Sequence, residues 1–256
     1  MTPPTDSFDK VVRPRARSAP TEPDRILLEG PHARLKELWL VLGALRDFIR
    51  GFRTFHFLGP CVTVFGSARF GETHEYYALA RRVGGALVEL GFTVMTGGGP
   101  GIMEAANRGA REARGRTVGC NVQLPFEQTP NPYLDRWVTL RYFFTRKVML
   151  LKYSYAFIVM PGGLGTMDEM FEALTLIQTG KVREFPVVLM GREYWAPALA
   201  MIERMAETST ISPEDLDLFF VTDDVDEAMS HIHEHAIVRF GLRPKPIPRR
   251  SWLLWE

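Results

Sequence analysis

Short, almost purely apolar runs alternate with longer stretches in which apolar residues return every three to four positions. The runs are Cys61–Phe65, Phe92–Thr96, Arg116–Val122, Trp137–Leu140, Ala156–Met160, Pro186–Met190 and Phe219–Val221. They are short, rich in Val, Ile and Phe, and predict strands buried on both faces. The stretches His74–Leu90, Ile102–Arg114, Phe144–Tyr153, Met167–Thr179, Tyr194–Glu207 and Val225–Val238 predict helices between them. Such alternation builds βαβ units with right-handed crossovers, so the expected fold is α/β. It is a doubly wound, mostly parallel sheet with helices on both faces. Ahead of it, Leu35, Leu38, Trp39, Leu42, Leu45 and Phe52 mark an N-terminal helix over 34–53. The expected organisation is a disordered tail at 1–25, where Pro, Ser, Thr and charge show no apolar period, then a helical extension at 26–58. An α/β domain at 59–240 and a Pro-rich arm at 241–256 follow.

Composition adds exclusions. An apolar content of 46% over 256 residues suits one α/β domain, and a net charge of +1 gives no ground for nucleic-acid binding. Cys61 and Cys120 lie within apolar runs and read as buried, reduced thiols. The N-terminus lacks a signal-type apolar core, and no apolar run approaches the roughly 18 residues that span a bilayer. A cytoplasmic protein is expected. The basic, amphipathic 34–53 helix admits membrane-surface docking, but Glu37 and Asp47 interrupt its charge and favour packing on the domain or on a second subunit.

Three glycine turns follow strands: Gly66-Ser67-Ala68-Arg69, Gly97-Gly98-Gly99-Pro100-Gly101 and Gly162-Gly163-Leu164-Gly165-Thr166. Carboxyl ends of parallel strands share one edge, and helix N-termini opening there suit a phosphate. Neither the Gly-x-Gly-x-x-Gly dinucleotide signature nor a Walker A loop can be read, which lowers hydride transfer and ATP hydrolysis in rank. Glu169 stands three residues after Thr166, in a spacing that fits either a capping box or a catalytic carboxylate. Arg146-Lys147 opens a helical run against the dipole, as a phosphate or leaving-group contact or as a solvated pair. Of His231, His233 and His235, only the first and last share a helical face, so no metal site is expected.

Gly97-Gly-Gly-Pro-Gly-Ile-Met-Glu104, Arg146-Lys147 and Pro161-Gly-Gly-Leu-Gly-Thr-Met-Asp-Glu169 together resemble the LONELY GUY family. Its members are cytokinin riboside 5′-monophosphate phosphoribohydrolases, long mislabelled lysine decarboxylases. The resemblance covers about Cys61 to Val238 and implies that 59–240 is a Rossmann-like, nucleotide-binding catalytic domain of this family's type. It implies cleavage of the N-glycosidic bond of AMP or an N6-modified AMP to the base and ribose 5-phosphate, with no metal or organic cofactor and a homo-oligomer, a dimer or larger. By motif position it implies catalytic roles for Arg146 and Glu169. It implies substrate or phosphate contacts from Gly66, Ser67, Gly97, Gly98, Gly99, Gly101, Met103, Lys147, Gly162, Gly163, Gly165 and Thr166. Tyr155 and Leu176 depart from the residues usual in shorter members, near regions expected to shape subunit contacts or the base pocket. Decarboxylating lysine calls for a carbanion sink such as a pyridoxal Schiff base, and nothing around Lys147, Lys152 or Lys181 marks one. A broader purine or pyrimidine monophosphate nucleosidase, and a non-catalytic nucleotide or molybdenum-cofactor carrier of similar fold, remain alternatives.

Overall fold

Each apolar run becomes a strand in the computed structural model, which describes residues 23–28, 30–124, 129–182 and 186–238. The strands are β1 (Cys61–Phe65), β2 (Thr93–Thr96), β3 (Thr117–Val122), β4 (Arg136–Leu140), β5 (Ser154–Val159), β6 (Val187–Met190) and β7 (Phe220–Thr222). They form one parallel sheet in the order β4-β3-β2-β1-β5-β6-β7. The helices are α1 (Pro23–Leu28), α2 (Arg34–Phe55), α3 (Glu75–Glu89), α4 (Ile102–Glu112), α5 (Phe143–Tyr153), α6 (Leu164–Gln178), α7 (Arg192–Glu207) and α8 (Val225–Ile232). The doubly wound Rossmann-like fold is as expected. Most of the expected tail and all of the Pro-rich arm lie outside the described residues.

The two faces of the sheet follow from the two-residue strand period. Val62, Val64, Ala156 and Ile158 pack with Val83 and Leu87 of α3, Ala105 and Ala106 of α4, and Ile232 of α8. The alternate residues Cys61, Phe65, Phe157 and Val159 pack with Phe55 of α2, Met149 of α5, Met170 of α6 and Trp195 of α7. Both cysteines are free and buried, and burial pushes their thiols up to about 12. The His231 ring lies stacked between Phe220 and His235, with centroids 4.6 and 4.1 Å away, and burial first of all pulls its pKa down to about 4. Packing accounts for that histidine pair, and no group of three or more metal-binding side chains occurs among the described residues. Nor is any described helix long and apolar enough to cross a membrane. Helix α2 buries Asp47, Gly51 and Phe55, while Trp39 remains 67% exposed.

The Phe157 ring meets Phe65 edge-on at a centroid distance of 4.9 Å under β5. Phe157→Ala removes that contact and leaves a cavity, with an expected loss of about 3–5 kcal/mol in chemical denaturation. A loss below about 1 kcal/mol would contradict this account of the core.

Candidate active site

The strand order reverses between β1 and β5, and there the loops that leave both strands part around a cavity of about 670 Å³. Backbone hydrogen bonds stitch the rim. Met160 N donates to Phe65 O (2.9 Å), Ser67 N to Pro161 O (2.9 Å), and Ile102 N, the first amide of α4, to Ser67 O (3.0 Å). Gly66, Ser67, Met103, Arg146, Gly162, Gly163, Gly165, Thr166 and Glu169 all line this cavity.

Helix α6 begins at Leu164, three residues before the predicted start, with Gly163 as its N-cap. Thr166 is therefore the third helical residue and not the cap, and its amide donates to Gly163 O (3.0 Å). Glu169 lies a turn too far along to reach back to the cap amide. The capping-box alternative is thus excluded. No side chain caps the helix and no acid occupies its first turn. Among the described residues no acceptor meets the amides of Gly163, Leu164 and Gly165. A helix end in that condition attracts an anion. Gly162 has to be glycine, because a Cβ there would collide with the Thr166 side chain and come 3.0 Å from Ser67 N.

Glu169 is 6% exposed. Burial raises its pKa to about 7; Arg146 and then Lys147 oppose the rise, while Glu172 and Asp168 add to it. Arg146, on the second turn of α5, donates through Nε to Cys120 O (3.0 Å). Its guanidinium lies over Gly97, where a Cβ would come 2.5 Å from Nη2.

Several predicted contacts fall elsewhere. Lys147 Nζ pairs with Asp168 (2.8 Å) and Glu172 (2.9 Å), so it ties α5 to α6 instead of lining the cavity. Gly97, Gly98, Gly99 and Gly101 stand behind the wall. Gly98 N donates to Thr96 Oγ1 (2.9 Å), Asn131 N to Gly98 O (2.9 Å) and Asn131 Nδ2 to Gly99 O (3.1 Å). That loop serves as a bed for Arg146, and only Met103 from its segment reaches the cavity. Tyr155 packs against the α3 side of the core and Leu176 lies on α6 away from the cavity, so neither shapes the pocket within this chain. Residues without a sequence signal complete the wall. Phe70, Leu124 and Phe143 add apolar surface, and Arg69 stands at the rim. Tyr194, from the first turn of α7, donates its hydroxyl to Gly162 O (2.7 Å). In a trans peptide the C=O and the next N–H point in opposite directions. Tyr194 therefore sets the direction of the Gly163 amide.

A family model described as "Possible lysine decarboxylase" matches residues 103–232, about half of the chain, including both Arg146 and Glu169. A cytokinin riboside 5′-monophosphate phosphoribohydrolase of Rhodococcoides fascians is 30% identical over 175 residues, 67% of this chain and 88% of that protein. The chain belongs to the LONELY GUY family. A second such relative, from Mycobacterium tuberculosis, is 32% identical over 161 residues, 61% of this chain and 86% of that protein. Among solved structures, the Moco carrier protein of Chlamydomonas reinhardtii is similar, with a TM-score of 0.51 and 26% identity over 69% of this chain and 96% of that one. A molybdenum cofactor binding protein from Rippkaea orientalis has the same fold at 22% identity and a TM-score of 0.51. The family model begins within α4 and leaves α2 outside it.

A carboxyl that titrates near 7 when folded and at 4.5 in its ordinary state binds more protons in the native protein between those values. Its contribution to stability is therefore lost as pH rises through that window, by roughly 3 kcal/mol in all. Glu169→Gln removes the loss. At pH 8 the variant is expected to be more stable than wild type by up to this amount, with the gap closing towards pH 4. Equal differences in chemical denaturation at both pH values would contradict the buried, raised carboxyl.

Proposed function

We propose that this chain hydrolyses the N-glycosidic bond of a purine nucleoside 5′-monophosphate, AMP or an N6-modified AMP, to the free base and ribose 5-phosphate. The reading rests on one conjunction. A nearly buried carboxyl with a pKa of about 7 shares its cavity with three amides at the start of α6 that have no acceptor among the described residues. The names of the Rhodococcoides fascians and Mycobacterium tuberculosis relatives support the same reaction.

The 5′-phosphate takes the amides of Gly163, Leu164 and Gly165, and this remote binding energy holds the reacting bond in place. Cleavage builds positive charge at C1′ as in glycoside hydrolysis. The Glu169 carboxylate stabilises that charge and accepts a proton from the attacking water. The hydroxyl bonds to C1′, the C1′–N electron pair leaves with the base, the base nitrogen takes a proton from solvent water, and Glu169 returns its proton to solvent. Arg146 stays protonated and acts by hydrogen bonding and charge. Phe143, Leu124 and Met103 offer the flat base an apolar wall. The exposed apolar side of α2 supports assembly into a homo-oligomer, and the free, buried cysteines support a cytoplasmic location. The Chlamydomonas reinhardtii Moco carrier fold favours a second reading, a nucleotide or pterin-cofactor carrier. A cradle suffices for a carrier, whereas a desolvated carboxyl beside it costs stability and serves chemistry.

Base release from AMP and isopentenyl-AMP decides between them. Wild type is expected to turn over, and Glu169→Gln to lose about 10²–10⁴-fold in kcat while still binding ribose 5-phosphate. With an ionised Glu169 required, kcat/KM rises with pH and levels off above about 7. Binding without turnover in both proteins would move the chain to the carrier class. Tyr194→Phe frees the Gly162 carbonyl, and KM for the monophosphate is expected to rise about tenfold with kcat little changed. An unaltered KM would remove Tyr194 from the cradle.

A further inference from the structure

Asp47 is wholly buried on α2, outside the residues matched by the family model, and the reaction outlined above makes no use of it. Its Oδ2 accepts the backbone amides of Arg141 (2.5 Å) and Tyr142 (3.3 Å), and its Oδ1 has no partner among the described residues. Tyr142 is the N-cap of α5, the helix that carries Arg146, and it supplies no capping side chain. Asp24 of α1 accepts the next amide, that of Phe143 (3.1 Å). Helix α5 has no acid in its own first turn and places Arg146 and Lys147 on the next. Two acidic side chains from the chain ahead of β1 thus provide the acceptors that the α5 sequence lacks.

The sequence of α2 makes this reach feasible. Gly43, Asp47, Gly51 and Phe55 recur every fourth residue and so occupy one helical stripe. A Cβ at Gly43 would come 2.8 Å from the Tyr142 hydroxyl, and one at Gly51 would come 2.6 Å from Met149 Sδ on α5. The two glycines bring the α2 backbone close enough for a two-bond side chain to touch the loop before α5. Tyr142 closes the contact from the other side, with its hydroxyl 3.4 Å from Leu40 O. Four residues past the cap, Arg146 N donates to Tyr142 O (3.3 Å), so the anchored peptide and the arginine share one turn.

We propose that Asp47 is a positioning residue for Arg146: the N-terminal extension clamps the start of α5 and so fixes the guanidinium in the cavity. The proposal builds on the hydrolase reading above but is tested by a readout independent of turnover. Because Arg146 holds down the pKa of Glu169, displacement of Arg146 is visible as a rise in the Glu169 titration midpoint. In the full-length protein, carbon-13 NMR titration of the Glu169 carboxyl is followed in Asp47→Ala, Asp47→Asn, Arg146→Ala and the Asp47→Ala/Arg146→Ala double variant. The midpoint is expected to rise in Asp47→Ala, to stay near wild type in Asp47→Asn, which keeps an acceptor, and to be equal in Arg146→Ala and the double variant. In base-release assays Asp47→Ala is expected to lower kcat about ten- to a hundredfold with KM changed less than about threefold. A lowered melting temperature with unchanged midpoint and kcat, or an equal effect of Asp47→Ala with and without Arg146, would overturn the proposal. If Asp47→Ala fails to fold, Asp47→Ser, which is too short to reach both amides, takes its place under the same criteria. Absence of turnover in wild type would overturn the hydrolase reading alone, since the Glu169 midpoint still reports on Asp47.

Discussion

Helix α6 starts on Gly163 with no side chain returned to its first amides and no acid in its first turn, so its positive end faces the cavity uncompensated. The rest of the site is organised around that exposed end. The switch point between β1 and β5 gives it room, and the reversal of strand order there leaves a gap that no crossover helix fills. Glu169, five residues past the first helical position, is carried by the same helix into a region dry enough to raise its pKa to about 7. One element thus holds both the anion site and the titratable carboxyl, so the distance between them is set by helix geometry and not by a mobile loop.

The surrounding parts keep that element in register. Lys147 bridges α5 to Asp168 and Glu172 of α6, so the helix with the arginine and the helix with the glutamate are tied by charge. Tyr194 holds the peptide before α6 from the side of α7, and Ser67 holds the one before it from the side of β1. Two of these ties end on backbone carbonyls, which favours precision: a carbonyl in a stitched loop has few alternative positions.

The fold was legible from sequence because its strands are buried on both faces, and continuous runs such as Ala156–Met160 have no competing interpretation. The site was legible in outline. Gly162 to Thr166, Arg146 and Glu169 are close in motif and close in space. What misled was local spacing read without its helical phase. Thr166 and Glu169 have the separation of a capping box, yet glycines at 163 and 165 allow the chain to turn helical before the threonine. Lys147 follows Arg146 directly, but a step of one residue on a helix rotates it away from the cavity towards α6. The glycines at 97–101 look like a phosphate loop, though Thr96 and Asn131 engage that loop's backbone. Tyr194 lies 32 residues from Gly162 on another helix, and no pattern in the chain announces their contact.

The attachment of Arg146 to the carbonyl of Cys120 has a chemical consequence. The thiol of that same residue is enclosed in the core, its pKa pushed up to about 12, so almost none of it exists as the thiolate that oxidants and alkylating agents attack. The arginine therefore hangs from a cysteine that gives electrophiles no purchase. An oxidant that modified exposed sulfur elsewhere would leave this anchor, and the charge it aims into the cavity, as they were.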